Sequence, residues 1–88
     1  MRRRSLIINP KDNVAVLLEK ADSNDSIEVN GVEIELTQAI EFGHKAAIRD
    51  LKAEDHVYKY GEEIGYMLAD IPKGGWIHNH NMGCRRGK

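Results

Sequence analysis

Ile27-Glu28-Val29-Asn30-Gly31-Val32-Glu33-Ile34-Glu35-Leu36 carries the clearest local structure in the chain. Apolar and acidic residues alternate with a period of two on either side of Asn30-Gly31, a dipeptide that accepts the positive φ angles of a two-residue type I′ hairpin. The implied register sets Val29 opposite Val32 and Ile27 opposite Ile34 on one face. Glu28 then lies opposite Glu33 on the other, where like charges are mildly destabilising. That outer face reads as solvated, with a basic partner for the glutamates as the alternative.

Upstream, Asp22 to Ser26 is a run of turn-forming polar residues, a surface loop. Before it, Val14-Ala15-Val16-Leu17-Leu18 is a continuous apolar run of strand length that reads as buried on both faces. A helix over 13–21 is the alternative. Leu6-Ile7-Ile8 reads as a short first strand stopped by Asn9-Pro10, because proline fixes its own φ and biases the preceding residue away from helix. Downstream, short apolar segments alternate with punctuation: Gly43, then Ala46-Ala47-Ile48, then His56 to Tyr60 closed by Gly61, then Ile64 to Leu68. Pro72-Lys73-Gly74 fits a type I turn with proline second and glycine fourth. These features predict a mostly-β fold, a compact barrel or clip, with at most a short helical turn near Ile48 to Leu51.

Eighty-eight residues, 41% of them hydrophobic, allow one small domain. A chain this short buries roughly 60–65% of its unfolded surface, and many such chains lean on a partner. Cys84 has no second cysteine to pair with. With no apolar leader and no long apolar run, the chain is expected to be cytoplasmic, with no membrane role. The net charge of −1 conceals an asymmetry, since seven Lys/Arg face fourteen Asp/Glu between Ser5 and Cys84, a balance of −7. Arg2, Arg3, Arg4, Arg85, Arg86 and Lys88 sit in the two ends. An acidic body with basic ends argues against nucleic-acid binding, and the ends read as tails or as clamps onto an acidic surface. The organisation expected is a basic segment with the first strand over 1–9, the domain over 10–82 and a basic tail over 83–88.

Three clusters carry polar chemistry. Gly75-Trp76-Ile77-His78-Asn79-His80-Asn81 places two histidines two residues apart. In an extended chain Trp76, His78 and His80 face one way and Ile77, Asn79 and Asn81 the other. Imidazoles titrate near neutrality and ligate metals, so the pair beside a tryptophan is a candidate substrate wall, although two histidines supply too few ligands for a closed metal site. Gly43-His44-Lys45 is the second cluster, suited to holding a carboxylate or moving a proton beside a backbone that a ligand can approach closely. Lys59-Tyr60-Gly61-Glu62 is the third. Taken singly, each has an ordinary reading as a strand edge, a turn or a half-buried tyrosine.

Taken together, their order and spacing resemble the SAF domain of the altronate dehydratase and galactarate dehydratase family. The matching positions are Pro10, Asp12-Asn13-Val14-Ala15-Val16, Phe42-Gly43-His44-Lys45, Ala47, Val57, Lys59-Tyr60-Gly61-Glu62, Ile64-Gly65, Asp70-Ile71 and Gly75 to Asn81. Glu54 and Asn24 depart from it, standing where the family often has glycine. Met67 and Asn79 are milder departures.

The resemblance implies an SAF-like β-clip and a lyase that removes the proton α to a carboxylate and expels the neighbouring hydroxyl. It also implies a divalent metal, Fe²⁺ or Mn²⁺, held mainly by a large catalytic dehydratase-like subunit. The chain ends seven residues after Asn81 and so resembles a free-standing small subunit, inactive alone. It is similar also to the small subunit of the sulfolactate sulfo-lyases. On this reading His78, His80 and His44 are the candidate catalytic groups, and Lys45, Gly43, Lys59, Tyr60 and Asn81 the candidates for binding a sugar acid. Metal ligands within this chain are unassigned. A homo-oligomer and a non-catalytic binding or assembly module remain as alternatives.

Overall fold

In the computed structural model, which describes residues 1–84, ten short strands and no helix are found among the described residues. They are β1 (Arg2–Arg3), β2 (Ser5–Leu6), β3 (Val14–Leu17), β4 (Ser26–Val29), β5 (Val32–Glu35), β6 (Lys45–Ala47), β7 (His56–Lys59), β8 (Glu62–Met67), β9 (Trp76–Ile77) and β10 (Met82–Gly83). Three small sheets form, ordered β1-β4-β5, β10-β8-β7 and β2-β3-β6-β9. The barrel that the sequence allowed does not close.

The β4–β5 hairpin has the expected register, Val29 against Val32, Ile27 against Ile34 and Glu28 against Glu33. Asn30 and Gly31 adopt φ of 52° and 83°, as a type I′ turn requires. Ile27 and Ile34 are buried, but Val32 at the hairpin tip is 55% exposed. β3 is buried throughout, while Leu18 beyond it is partly exposed, so the run is a strand one residue shorter than its apolar length.

Thirty residues on, the architecture repeats. Tyr60 and Gly61, with φ of 57° and 81°, join β7 to β8 as Asn30 and Gly31 join β4 to β5. Each hairpin is entered by the same turn. The N–H of Asp25 bonds the carbonyl of Asp22 and that of Asp55 bonds Lys52, while each aspartate carboxylate accepts the N–H three residues before it. Each hairpin is left by a β-bridge, Ala21 with Ile40 and Leu51 with Ile71, and then by a glycine turn, Glu41–His44 or Pro72–Gly75. Gly43 and Gly74 sit at the third position of these turns with φ of 84° and 89°. The second turn therefore begins at Pro72 and needs the positive φ of a type II geometry, one residue later than the type I turn read from the sequence.

Each half owns a core. Leu17, Ala21, Ile27, Leu36 and Ile40 pack in the first, and their counterparts Ala47, Leu51, Val57, Met67 and Ile71 in the second. β6 is the seam, pairing with β3 on one side and β9 on the other.

Asn13 ties the second half to the first. Fully buried, it donates from Nδ2 to the carbonyl of His56 (2.8 Å) and accepts at Oδ1 from the N–H of Tyr58 (2.9 Å). Asp12 beside it accepts from the N–H of Gly61 (2.7 Å). Burial alone would push the Asp12 carboxyl up, but the N–H groups of Gly61, Asn9, Tyr60 and Ile8 outweigh it and hold it below its ordinary value.

The N-terminal arginines are not a tail. β1 pairs in parallel with β4, Arg2 bonds Glu28 (2.7 Å), Arg3 bonds Asp25 (2.8 Å) and Arg4 contacts Glu19. The basic partner for Glu28 is thus the chain's own second residue. N–H donation from Asp22, followed by the Arg3 guanidinium, lowers the Asp25 carboxyl to about 2. The first apolar strand shrinks to Ser5–Leu6, and Ile8 is exposed. The segment 48–51 forms no helical turn. Of the basic C-terminal tail, residues 85–88 lie outside the described residues.

Asn24 and Glu54, the two departures from glycine, occupy left-handed backbone with φ of 74° and 78°. Asparagine tolerates this conformation, whereas glutamate costs about 1 kcal/mol there. Glu54→Gly is expected to stabilise the chain by about 1 kcal/mol in urea unfolding. Asn13→Ala is expected to cost about 2–3 kcal/mol, because it strands the β7 backbone groups that the amide satisfies. A midpoint unchanged by Asn13→Ala would refute the clamp.

Candidate functional site

β6 and β9 pair antiparallel with Lys45 opposite Ile77 and Ala46 opposite Trp76. That ladder sets Gly43-His44-Lys45 beside Trp76-Ile77-His78, two segments separated by some thirty residues of chain. The convergence is visible in the rings. His44 and His78 stack with centroids 4.7 Å apart and planes 19° apart. Trp76 lies 5.5 Å from His78, 5.7 Å from His44 and 4.7 Å from His80, so it contacts all three imidazoles. Its indole N–H donates to His44 Nδ1 at 3.1 Å.

The His-x-His segment is not extended. β9 ends at Ile77 and the chain turns at once, with the N–H groups of Asn81 and Met82 both bonding the carbonyl of His78. The cause is Asn81, whose Oδ1 accepts from the N–H of His78 (2.9 Å) while Nδ2 donates to the carbonyl of Trp76 (2.9 Å). Asparagine side chains compete for backbone in this way and favour turns over strands. Trp76, His78 and His80 still cluster, through the turn rather than through strand alternation. Asn81 spends both ends of its amide on the backbone, so it shapes the site.

Lys45 is half-buried, and burial followed by the charge of Lys59 lowers its proton affinity. His78 is also lowered, first by desolvation and then by His44, Lys45 and His80. Both shifts have the sign expected where like charges gather in a partly dry place. Lys59 itself lies over the Tyr60 ring at 5.1 Å, at the tip of the second hairpin. The charge of Lys59 reaches Lys45, whereas no described contact joins Tyr60 to the imidazoles. Gly43 has open space where a Cβ would be, and its positive φ rather than crowding favours glycine there.

Trp76 is the group that the sequence reading placed beside the site but left out of it. Its signal was the Gly-Trp-Ile-His spacing, which puts one aromatic within reach of both histidines. Among the described residues no group of three or more His, Cys, Asp or Glu could hold a metal ion. What the cluster offers is imidazole nitrogen for proton transfer or hydrogen bonding, and ammonium charge for an anion. Two clefts of about 480 and 440 Å³ lie along the N-terminal segment. They hold no histidine, and the arginines there are neutralised by Glu28, Asp25 and Glu19. No described helix is long and apolar enough to cross a membrane.

Comparison with known proteins agrees with this architecture. Residues 3–85 match the altronate/galactarate dehydratase SAF domain. Altronate dehydratase of Escherichia coli is 40% identical over 74 residues, and that of Bacillus subtilis 38% over 74, each alignment covering 84% of this chain and 15% of the relative. The chain therefore spans a small fraction of the length of these relatives. The (2R)-sulfolactate sulfo-lyase subunit alpha of Paracoccus pantotrophus is 49% identical over 47 residues, covering 53% of this chain and 70% of the relative. The chain belongs to the altronate/galactarate dehydratase SAF domain family.

Proposed function

We propose that this chain acts as the small subunit of a lyase that dehydrates a sugar acid, as an altronate dehydratase does, and that it completes the active site of a large catalytic partner. One observation carries the reading: His44, His78 and His80 gather around Trp76, with Lys45 adjacent, on a domain that corresponds to 15% of the dehydratases it resembles. Pockets that hold small substrates are ~300–1,000 Å³ and need walls on several sides, which a large partner would supply.

The reaction removes the proton α to a carboxylate, and the C–O bond to the neighbouring hydroxyl breaks, that oxygen leaving with a proton as water. His78 is suited to take the α-proton, since its lowered proton affinity leaves free base available near neutrality. Lys45 is suited to the substrate carboxylate, with Lys59 adding positive field behind it. His80, at the exposed edge, is the candidate to protonate the leaving oxygen. The described histidines do not form a metal site, so a divalent Fe²⁺ or Mn²⁺ belongs mainly to the partner in this proposal, and no step is assigned to it here. A second reading has its own support. The sulfo-lyase alpha subunits are themselves matched over 70% and 58% of their length, so a partner acting on sulfolactate fits the size of this chain.

Purified chain alone is expected to show negligible dehydratase activity with altronate, galactarate or sulfolactate in the presence of Fe²⁺ or Mn²⁺. Activity is expected on co-expression with a dehydratase-type catalytic chain. In that complex His78→Ala should reduce kcat by roughly 10²–10⁴-fold without dissociating it. Robust turnover by the chain alone, or a fully active His78→Ala complex, would overturn the assignment. The charge argument has its own check by NMR titration. The His78 midpoint is expected below the ordinary 6.5, and Lys45→Met should raise it by removing one of the cations that disfavour imidazolium. His44 and His80 stay in place in that variant, so a midpoint unmoved by it would remove Lys45 from the electrostatics of the site.

A further inference from the structure

The ring cluster contains one bond that divides the labour among its histidines. Indole N–H is a donor and cannot accept, so the 3.1 Å contact between Trp76 Nε1 and His44 Nδ1 requires a lone pair on His44 Nδ1. A neutral imidazole has one N–H and one lone pair, so the proton of His44 must sit on Nε2. Protonating Nδ1 would set two N–H groups against each other. Among the described residues no hydrogen bond holds the His78 ring: its backbone N–H is engaged by Asn81, and its imidazole meets its neighbours by stacking.

We propose that Trp76 is the positioning residue of the site, fixing His44 as the Nε2–H tautomer so that His44 presents a hydrogen-bond donor to a ligand oxygen while the neighbouring His78 is left free to accept a proton. The bond that one imidazole nitrogen makes sets what the other nitrogen can do. The fold supplies the bond through the β6–β9 ladder, which sets Ala46 opposite Trp76 and leaves His44 two residues along from Ala46, just beyond the Lys45–Ile77 pair. Trp76 cannot slide away, because its carbonyl is held by Asn81 Nδ2 and its N–H contacts Gln38 Oε1. The dual role for the two histidines rests on the lyase reading above. The tautomer and its cause do not.

The test is nitrogen-15 NMR on the 88-residue chain at a pH where the imidazoles are neutral. In wild type, His44 is expected with Nε2 protonated and Nδ1 as hydrogen-bond acceptor, with a scalar coupling across the bond to Trp76 Nε1 and slow exchange of the indole proton. Trp76→Phe keeps an aromatic ring in the stack and removes the donor. It should abolish the coupling, shift the His44 Nδ1 resonance to that of an unbonded acceptor and allow the other tautomer to appear. His44 found as the Nδ1–H form in wild type, or His44 nitrogen shifts unchanged in Trp76→Phe, would overturn the proposal. Should the variant fail to fold, the wild-type coupling decides alone: its presence supports the bond and its absence refutes it. In a reconstituted complex, Trp76→Phe should lower kcat about tenfold or more with KM little changed. A normal tautomer effect with unchanged kcat in an active complex would leave the bond standing and refute the positioning role. An inactive wild-type complex would instead count against the lyase reading and against the roles assigned under it.

Discussion

A three-residue strand serves two cores, and the rest of the molecule is arranged around that constraint. β6 lies between β3 and β9 in the four-stranded sheet, and its successive side chains go to opposite faces. Ala46 buries in the first core and Ala47 in the second, both with no exposed surface. Larger residues at either position would force the halves apart, since interiors at native packing density do not absorb extra methylenes without strain. The third residue of the strand, Lys45, is the one that escapes into the site. The strand that joins the halves therefore also delivers the cation, and its neighbour β9 delivers the tryptophan.

The repeated half-domain explains why the chemistry is lopsided. The two halves share turns, hairpins and bridges almost bond for bond, yet the positions matched to His44 and Lys45 are Gly75 and Trp76. Pairing β6 with β9 places these non-equivalent sets against each other. A symmetric pair of strands would have produced a symmetric and less useful surface. Here one strand contributes a histidine and an ammonium, and the other an aromatic platform followed by a turn with two more histidines. Partial burial first, and the neighbouring cations and imidazoles second, make both Lys45 and His78 shed protons more readily than usual.

Part of the acidic surface of the body is paired within the chain. Arg2, Arg3 and Arg4 cover Glu28, Asp25 and Glu19, and in doing so extend the first sheet by a parallel strand. Exposed ion pairs of this kind contribute little individually, and their value here is to close a sheet edge that would otherwise present unpaired backbone. Lys45, by contrast, feels the charge of a second cation, Lys59, and stands beside the imidazoles.

By itself the sequence determined the β class, the Asn30-Gly31 hairpin with its register, the buried Val14 to Leu17 strand and the family. These rest on local rules: a period of two, a dipeptide that tolerates positive φ, and motif order along the chain. The sequence reading missed the internal repeat, whose signal is Asp-x-β-branched followed by Gly-x-Glu-Ile at Asp25 and again at Asp55, because Tyr60-Gly61 does not announce a type I′ turn as Asn30-Gly31 does. The three-dimensional structure alone decided that the Arg segment is a strand, that the His78–Asn81 segment turns, that Asn81 braces the backbone and that Trp76 binds His44. Each of these depends on a partner distant in sequence or on competition between a side chain and the backbone for the same hydrogen bonds. Local propensity cannot rank such alternatives, because the winner is set by which groups the completed fold leaves without partners.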